Sequence, residues 1–176
     1  MYIFHDDGII IIKESDVTLK KLKIYLDTSL ISHLEANDTP DKMASTLELW
    51  KEIKQNKYDV YISDMVVSEL FDCQEPKRST MFRYLAEIDY TELVLSDETK
   101  ELADKYINEG IIPMKNKEDA MHIAVASINV CDIIVSWNFK HMVKFKTIRG
   151  VNAMNKYMGY SNEIEILSPD SIIEEE

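Results

Sequence analysis

Four residues stand where they could do chemistry together. Asp27 closes the apolar run Lys23-Ile-Tyr-Leu-Asp27, and Glu69 lies in Ser63-Asp-Met-Val-Val-Ser-Glu69. Asp119 follows Glu118, and Asn138 comes two residues after the run Asp132-Ile-Ile-Val-Ser136. Three are carboxylates and one is a carboxamide. Hard oxygen donors of this kind suit Mg²⁺ or Mn²⁺. One or two such ions can bind a phosphodiester, activate water and stabilise a leaving oxygen. Acids gathered without a cation repel and raise one another's pKa, so an empty cluster is expected to be electrostatically strained. Each residue also has a plainer role. Asp27 before Thr28-Ser29 reads as a helix cap, and Asn138 as another. Glu69 reads as a surface helix acid, and Asp119 as a first-turn acid facing the helix dipole. Their combination and order argue for one site.

The elements that would carry these residues alternate. Lys23–Asp27 reads as a strand, with Ile9–Ile12 as a possible edge strand before it. Pro40 and Asp41 open a helix whose Met43, Leu47, Trp50 and Ile53 share one face. Tyr58–Ile62 is a strand, and Ser63 caps a helix through Met65, Glu69 and Leu70. A helix after Arg78 carries Met81, Leu85 and Ile88. Thr91–Leu95 is a strand, Ser96 caps the next helix, and Gly110 stops it. Glu118–Asn129 is helical, and Asp132–Ser136 is a buried strand. Short helices are expected around Asn138–Val143 and Asn152–Met158, with a last strand at Ile164–Leu167. Strands and helices alternating in one domain imply an α/β fold, a mostly parallel sheet flanked by helices on both faces. In such sheets ligands bind beyond the carboxyl ends of the strands, where these polar residues fall.

The chain has 176 residues, enough for one domain. The domain is expected over residues 23–170, after an N-terminal extension (1–22) of uncertain order and before an acidic tail (171–176). Lys and Arg number 20 against 32 Asp and Glu, a net charge of −12. That balance argues against non-specific polyanion binding. It does not argue against an enzyme that meets phosphate through a carboxylate-held metal. The basic residues are also unevenly placed: Lys140, Lys144, Lys146 and Arg149 follow Asn138 closely, with no acid among them. No apolar run approaches the ~20 residues that span a bilayer. Asp6 and Asp7 precede the first Ile run, so no signal peptide is expected. Cys73 and Cys131 lack metal-ligand spacing and read as buried thiols of a cytoplasmic protein.

Four segments together resemble the PIN-domain ribonucleases, in particular VapC-type toxins of prokaryotic toxin–antitoxin pairs. They are Ile24-Tyr-Leu-Asp-Thr-Ser-Leu-Ile31, Ile62-Ser-Asp-Met-Val-Val-Ser-Glu-Leu70, Glu118-Asp-Ala-Met-His-Ile-Ala-Val-Ala126 and Ile133-Ile-Val-Ser-Trp-Asn-Phe-Lys-His141. The resemblance implies a PIN-like three-layer fold. It implies that Asp27, Glu69 and Asp119 bind Mg²⁺ or Mn²⁺, and that a metal-activated water cleaves RNA. The family usually has a fourth acid where this chain has Asn138. An Asn there could give a carbonyl oxygen or orient water, but a second metal would bind more weakly. The resemblance further implies a possible cognate antitoxin and a possible homodimer; the lack of a long apolar run implies no membrane.

Auxiliary roles follow from position. Ser29 could hold a metal-bound water or a phosphate oxygen, or cap a helix. His122, three residues beyond Asp119, could steer that acid or protonate a leaving group, or sit as a buried hydrogen-bonded histidine. Lys140, Lys144, Lys146 and Arg149 would meet RNA phosphates. Trp137 could stack a base, although its apolar strand favours core packing. The rival function is a PIN-like module acting through protein contacts, with weak or no catalysis. A phosphatase with an Asp nucleophile is discounted, because position 29 is Ser rather than a second acid.

Overall fold

The computed structural model describes residues 2–5, 8–11 and 20–173. Strands β1 (Tyr2–His5) and β2 (Gly8–Ile11) pair antiparallel in a two-stranded sheet of their own. The Ile run is therefore not an edge strand of the main sheet, and Ile12 lies outside the described residues, as do residues 174–176 of the acidic tail.

The main sheet has five parallel strands. β3 (Lys23–Leu26) lies at its centre, with β4 (Asp59–Ser63) on one side and β6 (Ile133–Val135) on the other. β5 (Thr91–Leu93) and β7 (Glu165–Leu167) form the edges, giving the order β5-β4-β3-β6-β7. The composition of the inner strands explains their place. A parallel strand covered on both faces reads as a continuous apolar run, and Ile24, Tyr25, Leu26, Ile134 and Val135 are fully buried. Edge β5 is shorter than the alternation suggested: Val94 is 72% exposed, and the backbone N–H of Leu95 turns to the Asp64 carboxylate.

Helices α1 (Thr28–Ser32) and α2 (Pro40–Lys54) link β3 to β4, and α3 (Asp64–Phe71) and α4 (Lys77–Leu85) link β4 to β5. α5 (Asp97–Asn108) and α6 (Lys117–Ile128) link β5 to β6, and α7 (Phe145–Tyr157) links β6 to β7. Local signals set several ends. Ser63 caps α3 through Val66 N–H at 3.3 Å. Ser96 and Thr99 form a reciprocal capping box on α5. Gly110, at φ +68°, ends α5 in a Schellman motif. Its N–H reaches Ile107 O and that of Ile111 reaches Tyr106 O, both at 2.9 Å. On α2, Leu49, Trp50 and Ile53 are buried, while Met43 and Leu47 are half-buried.

The segment expected as two short helices is built differently. Residues 137–144 form a turn, and a single helix runs from Phe145 to Tyr157. Gly150 sits inside that helix because α7 passes close to Ile111: a Cβ at position 150 would lie 2.8 Å from Ile111 Cγ2.

The strand order fixes where a ligand can bind. The chain steps outward from β3 to β4 and β5, then returns to the far side of β3 for β6 and β7. The order reverses between β3 and β6, and their carboxyl ends flank the crevice where open α/β sheets take ligands.

A carboxylate cluster at the sheet switch point

Asp27 leaves the end of β3 and caps α1. It is 4% exposed. Its Oδ1 accepts from Leu30 N–H at 3.1 Å and from the Ser29 hydroxyl at 2.6 Å. Its Oδ2 accepts from the Ser136 hydroxyl at 2.6 Å. The cap and the candidate ligand are thus one residue. Ser29 is not itself the capping hydroxyl. It braces Asp27 and accepts Trp137 N–H at 2.9 Å, tying α1 to the end of β6.

Ser136 carries the link across the switch point. Its Oγ also accepts Asn138 N–H at 2.9 Å. The Asn138 amide nitrogen then donates to Asp119 Oδ1 at 2.8 Å, and its Oδ1 accepts His141 N–H at 3.2 Å. Asn138 therefore presents its NH₂, not its carbonyl oxygen, to the acid cluster. On the other side, Asn116 Nδ2 donates to Asp119 Oδ2 at 2.9 Å.

Glu69 completes the set from α3. Its Oε2 accepts from the Thr28 hydroxyl, next to Asp27. Its Oε1 lies 3.3 Å from His122 Nε2. The other ring nitrogen of His122 is 2.7 Å from the buried Tyr25 hydroxyl, which is 2.7 Å from Ser63 Oγ. His122 is thus a buried histidine that holds Glu69, not Asp119. The reason is directional: three positions along α6 turn the ring toward β3 and α3. Asp27, Glu69, Asp119 and Asn138 are in this way joined through single intervening residues or directly.

The electrostatics differ from simple mutual repulsion. Burial pushes the Asp27 pKa up, against the charge of His122 and the hydrogen bonds from Ser136, Ser29 and Leu30. Burial also works to raise that of Glu69, but the hydrogen bond and charge of His122, with Thr28, bring it below its ordinary value. Burial works to lower that of His122. The hydrogen bond and charge of Glu69, with the charges of Asp27 and Asp119, outweigh it and raise the pKa. An imidazolium is therefore favoured among three carboxylates and offsets part of their repulsion.

The donor set fits a divalent cation. A carboxylate offers about four lone-pair sites. Asp27 keeps one free and Glu69 and Asp119 two each, after the bonds named above. Hard oxygen ligands are what Mg²⁺ and Mn²⁺ take. Among the described residues, no three His, Cys, Asp or Glu are gathered tightly enough to hold a metal as they stand. Asn116 Oδ1, beside Asp119, is buried without a hydrogen-bond partner among the described residues.

Lys140, Lys144, Lys146 and Arg149 are all exposed, on the turn after Asn138 and the first part of α7. Among the described residues none of them is ion-paired; Arg149 lies 5.9 Å from the Phe145 ring. Trp137 is only 7% exposed and donates to Thr46 Oγ1 at 2.8 Å, so it is core and not a stacking surface. Thr28, Ser136, Tyr25 and Asn116 are the supporting residues that sequence reasoning missed. Thr28, Tyr25 and Ser136 were at least signalled, each lying within two residues of a predicted site residue.

No protein-family model matches the chain. No curated protein matches it. Among solved structures, it is similar to a chain of the crystal structure of VapBC2 from Rickettsia felis bound to a DNA fragment from their promoter. The TM-score is 0.52 at 15% identity, over 84% of this chain and 98% of that one. No helix among the described residues is long and apolar enough to cross a membrane. The fold is α/β and PIN-like, as the four segments implied.

Proposed function

We propose that this protein is a metal-dependent endoribonuclease, a VapC-like toxin or a relative of one, working in the cytoplasm. The observation that carries the reading is the convergence of Asp27, Glu69, Asp119 and Asn138, from four separate elements, at the β3/β6 switch point. Asp27, Glu69 and Asp119 would hold Mg²⁺ or Mn²⁺. When bound, such an ion supplies charge neutralisation for a scissile phosphate and a water of lowered pKa.

The remaining work belongs to the chain. Ser29 and Ser136 fix Asp27, Thr28 and His122 fix Glu69, and Asn138 and Asn116 fix Asp119. These bonds leave the free lone pairs of the carboxylates as the available ligands. Lys140, Lys144, Lys146 and Arg149 meet RNA phosphates, concentrating favourable charge on a chain of net −12. With a neutral Asn138 in place of an acid, one metal is favoured over two. An antitoxin partner fits the similarity to a chain of a VapBC2 structure. A homodimer is a further expectation of the resemblance.

Cleavage of labelled single-stranded and structured RNAs tests the reading, with Mn²⁺, Mg²⁺ or EDTA and an Asp119→Asn control. Metal-dependent cleavage that the variant loses is the expected result. Equal cleavage by the variant places the activity elsewhere. The second reading, a binding module without catalysis, is favoured by the amide nitrogen that Asn138 turns toward Asp119. It predicts no cleavage by a folded protein that also shows no thermal shift with millimolar Mn²⁺.

A further inference from the structure

Phe139 is nearly half open to solvent, at 44% exposure, although it sits directly after Asn138. Its Cα is therefore about 3.8 Å from that of the residue that touches Asp119. The turn that carries it is firmly built. The Asn138 carbonyl collects the N–H groups of Met142 and Val143, both at 3.0 Å, and Phe139 N–H bonds Trp137 O at 2.9 Å. Beneath Phe139 lies the buried Trp137, with ring centroids 5.9 Å apart and planes tilted by 53°. On its far side Trp137 meets the His33 ring at 5.8 Å.

Lys42, in the first turn of α2, joins this stack. Its Nζ lies 5.2 Å from the Trp137 centroid and 5.6 Å from that of Phe139. Among the described residues Lys42 has no carboxylate partner. Among the described residues the ammonium rests on the Trp137 and Phe139 rings rather than on a carboxylate, a weak contact at an exposed site that leaves it able to take an anion. Solvating the ring costs free energy, and among the described residues the lysine pairs with no carboxylate. Both groups suit one ligand, an unpaired nucleotide. Its base has a π-face for the ring, and its phosphate is a counter-ion for the amine.

We infer that Phe139 and Lys42 form a nucleotide subsite beside the carboxylate cluster, where an unpaired RNA base stacks on Phe139 and an adjoining phosphate meets Lys42. The inference rests on the ribonuclease reading for its ligand. It adds to that reading the place where one unpaired base would be held, on the turn directly after Asn138. The requirement is for any base rather than one base, since stacking tolerates sequence.

The test separates binding from cleavage. Fluorescence anisotropy in EDTA gives the Kd of a labelled single-stranded RNA for the wild-type protein and for Phe139→Leu, Phe139→Tyr and Lys42→Gln. Phe139→Leu should weaken binding by about 5- to 150-fold. Phe139→Tyr should restore it. Lys42→Gln should reduce the slope of log Kd against log salt by about 0.7, one phosphate contact on a single strand. An RNA with the stacked base removed should bind the wild-type protein and Phe139→Leu equally. Unchanged binding by Phe139→Leu overturns the subsite. If the wild-type protein cleaves RNA with Mn²⁺ in the same series, the ribonuclease reading survives that result. A wild-type protein that neither binds nor cleaves RNA overturns both. Loss of self-association in Phe139→Leu, with RNA binding intact, would assign the ring to a protein contact instead and also overturn the subsite. Matching circular dichroism melts confirm that each variant is folded, as expected for a half-exposed side chain.

Discussion

Replacing Asn138 by Asp places a fourth carboxylate beside Asp119, and the geometry makes the cost calculable. The Asn138 amide nitrogen lies 2.8 Å from Asp119 Oδ1. In N138D that donor becomes an oxygen. The lost hydrogen bond to a charged group is worth about 1.5–3 kcal/mol. Two charges about 4 Å apart add about 4 kcal/mol of repulsion at an effective dielectric of 20. Residue 138 is only half-buried, so rotation toward solvent or uptake of a proton relieves part of this. A net loss of about 2–4 kcal/mol follows. For a domain of this size it lowers Tm by about 5–15 °C.

The variant should be melted in EDTA at pH 7.5 and again near pH 5. The carboxyl pair has a pKa raised in the folded state by mutual repulsion. Its favourable contribution is present when one acid is protonated and is lost as pH rises. The deficit of N138D should therefore shrink toward pH 5, where a shared proton restores a donor. Mn²⁺ should reverse the ranking of response. A cation at a hundredfold excess over Kd stabilises by about 2.7 kcal/mol, and the added carboxylate tightens Kd, so N138D should gain more Tm than the wild-type protein. Equal stability of the two proteins in EDTA at pH 7.5 would refute the contact between residues 138 and 119. Equal Mn²⁺ shifts would refute a cation site bordered by position 138.

Three further outcomes follow from the same coordinates. Burial pushes the Cys131 thiol up to about 12, so at pH 8 only about one molecule in 10⁴ carries its thiolate. Iodoacetamide should label the half-buried Cys73 in native protein and spare Cys131, as read by peptide mass. Equal labelling would show that the β6 end of the core opens. Burial raises Tyr25 well above its ordinary 10.0 and Tyr106 above it too. Their contribution to stability is complete below pH 10 and lost above it. With the buried Cys131 thiol counted beside the two phenols, urea unfolding should show a slope of about −4 kcal/mol per pH unit there, and a flat profile would contradict their burial. Gly150→Ala should destabilise by about 1 kcal/mol in thermal melts. The helix-propensity gain of about 0.5–1 kcal/mol is exceeded by the 2.8 Å clash with Ile111; a stabilised variant would mean that α7 moves away freely.

The parts of the fold that were legible in the sequence are those set by local rules. Continuous apolar runs gave β3 and β6, because burial on both faces leaves no room for alternation. Ser63, Ser96 and Gly110 marked helix ends, because their side chains or φ values satisfy orphan backbone groups locally. The failures are positions where a distant partner decides. Asn138 looks like a helix cap, yet its side chain goes to Asp119 and its carbonyl gathers a turn. Two short helices were expected where the single helix α7 runs, and its Gly150 lets it approach Ile111. His122 was paired in sequence with Asp119, while the fold aims it at Glu69, 53 residues earlier. Phe139 passed unnoticed because nothing in sequence separates an exposed aromatic from a buried one. Trp137, two residues before it, was named instead.

The same contrast bears on how an acidic chain would meet RNA under the proposed function. The net charge of −12 describes the far field, which repels a polyanion and slows encounter. Near the cluster the balance is different. His122 is held toward its charged form among Asp27, Glu69 and Asp119. The exposed Lys140, Lys144 and Lys146 follow on the neighbouring turn and on α7. Salt screens the distant field first, since charges beyond about 10 Å lose influence at 0.1 M. Close phosphate contacts weaken only in proportion to their number. A modest salt slope, set by Lys42 and a few of these lysines, is therefore the expected signature. A steep slope would mean that RNA runs along a longer basic track than this surface provides.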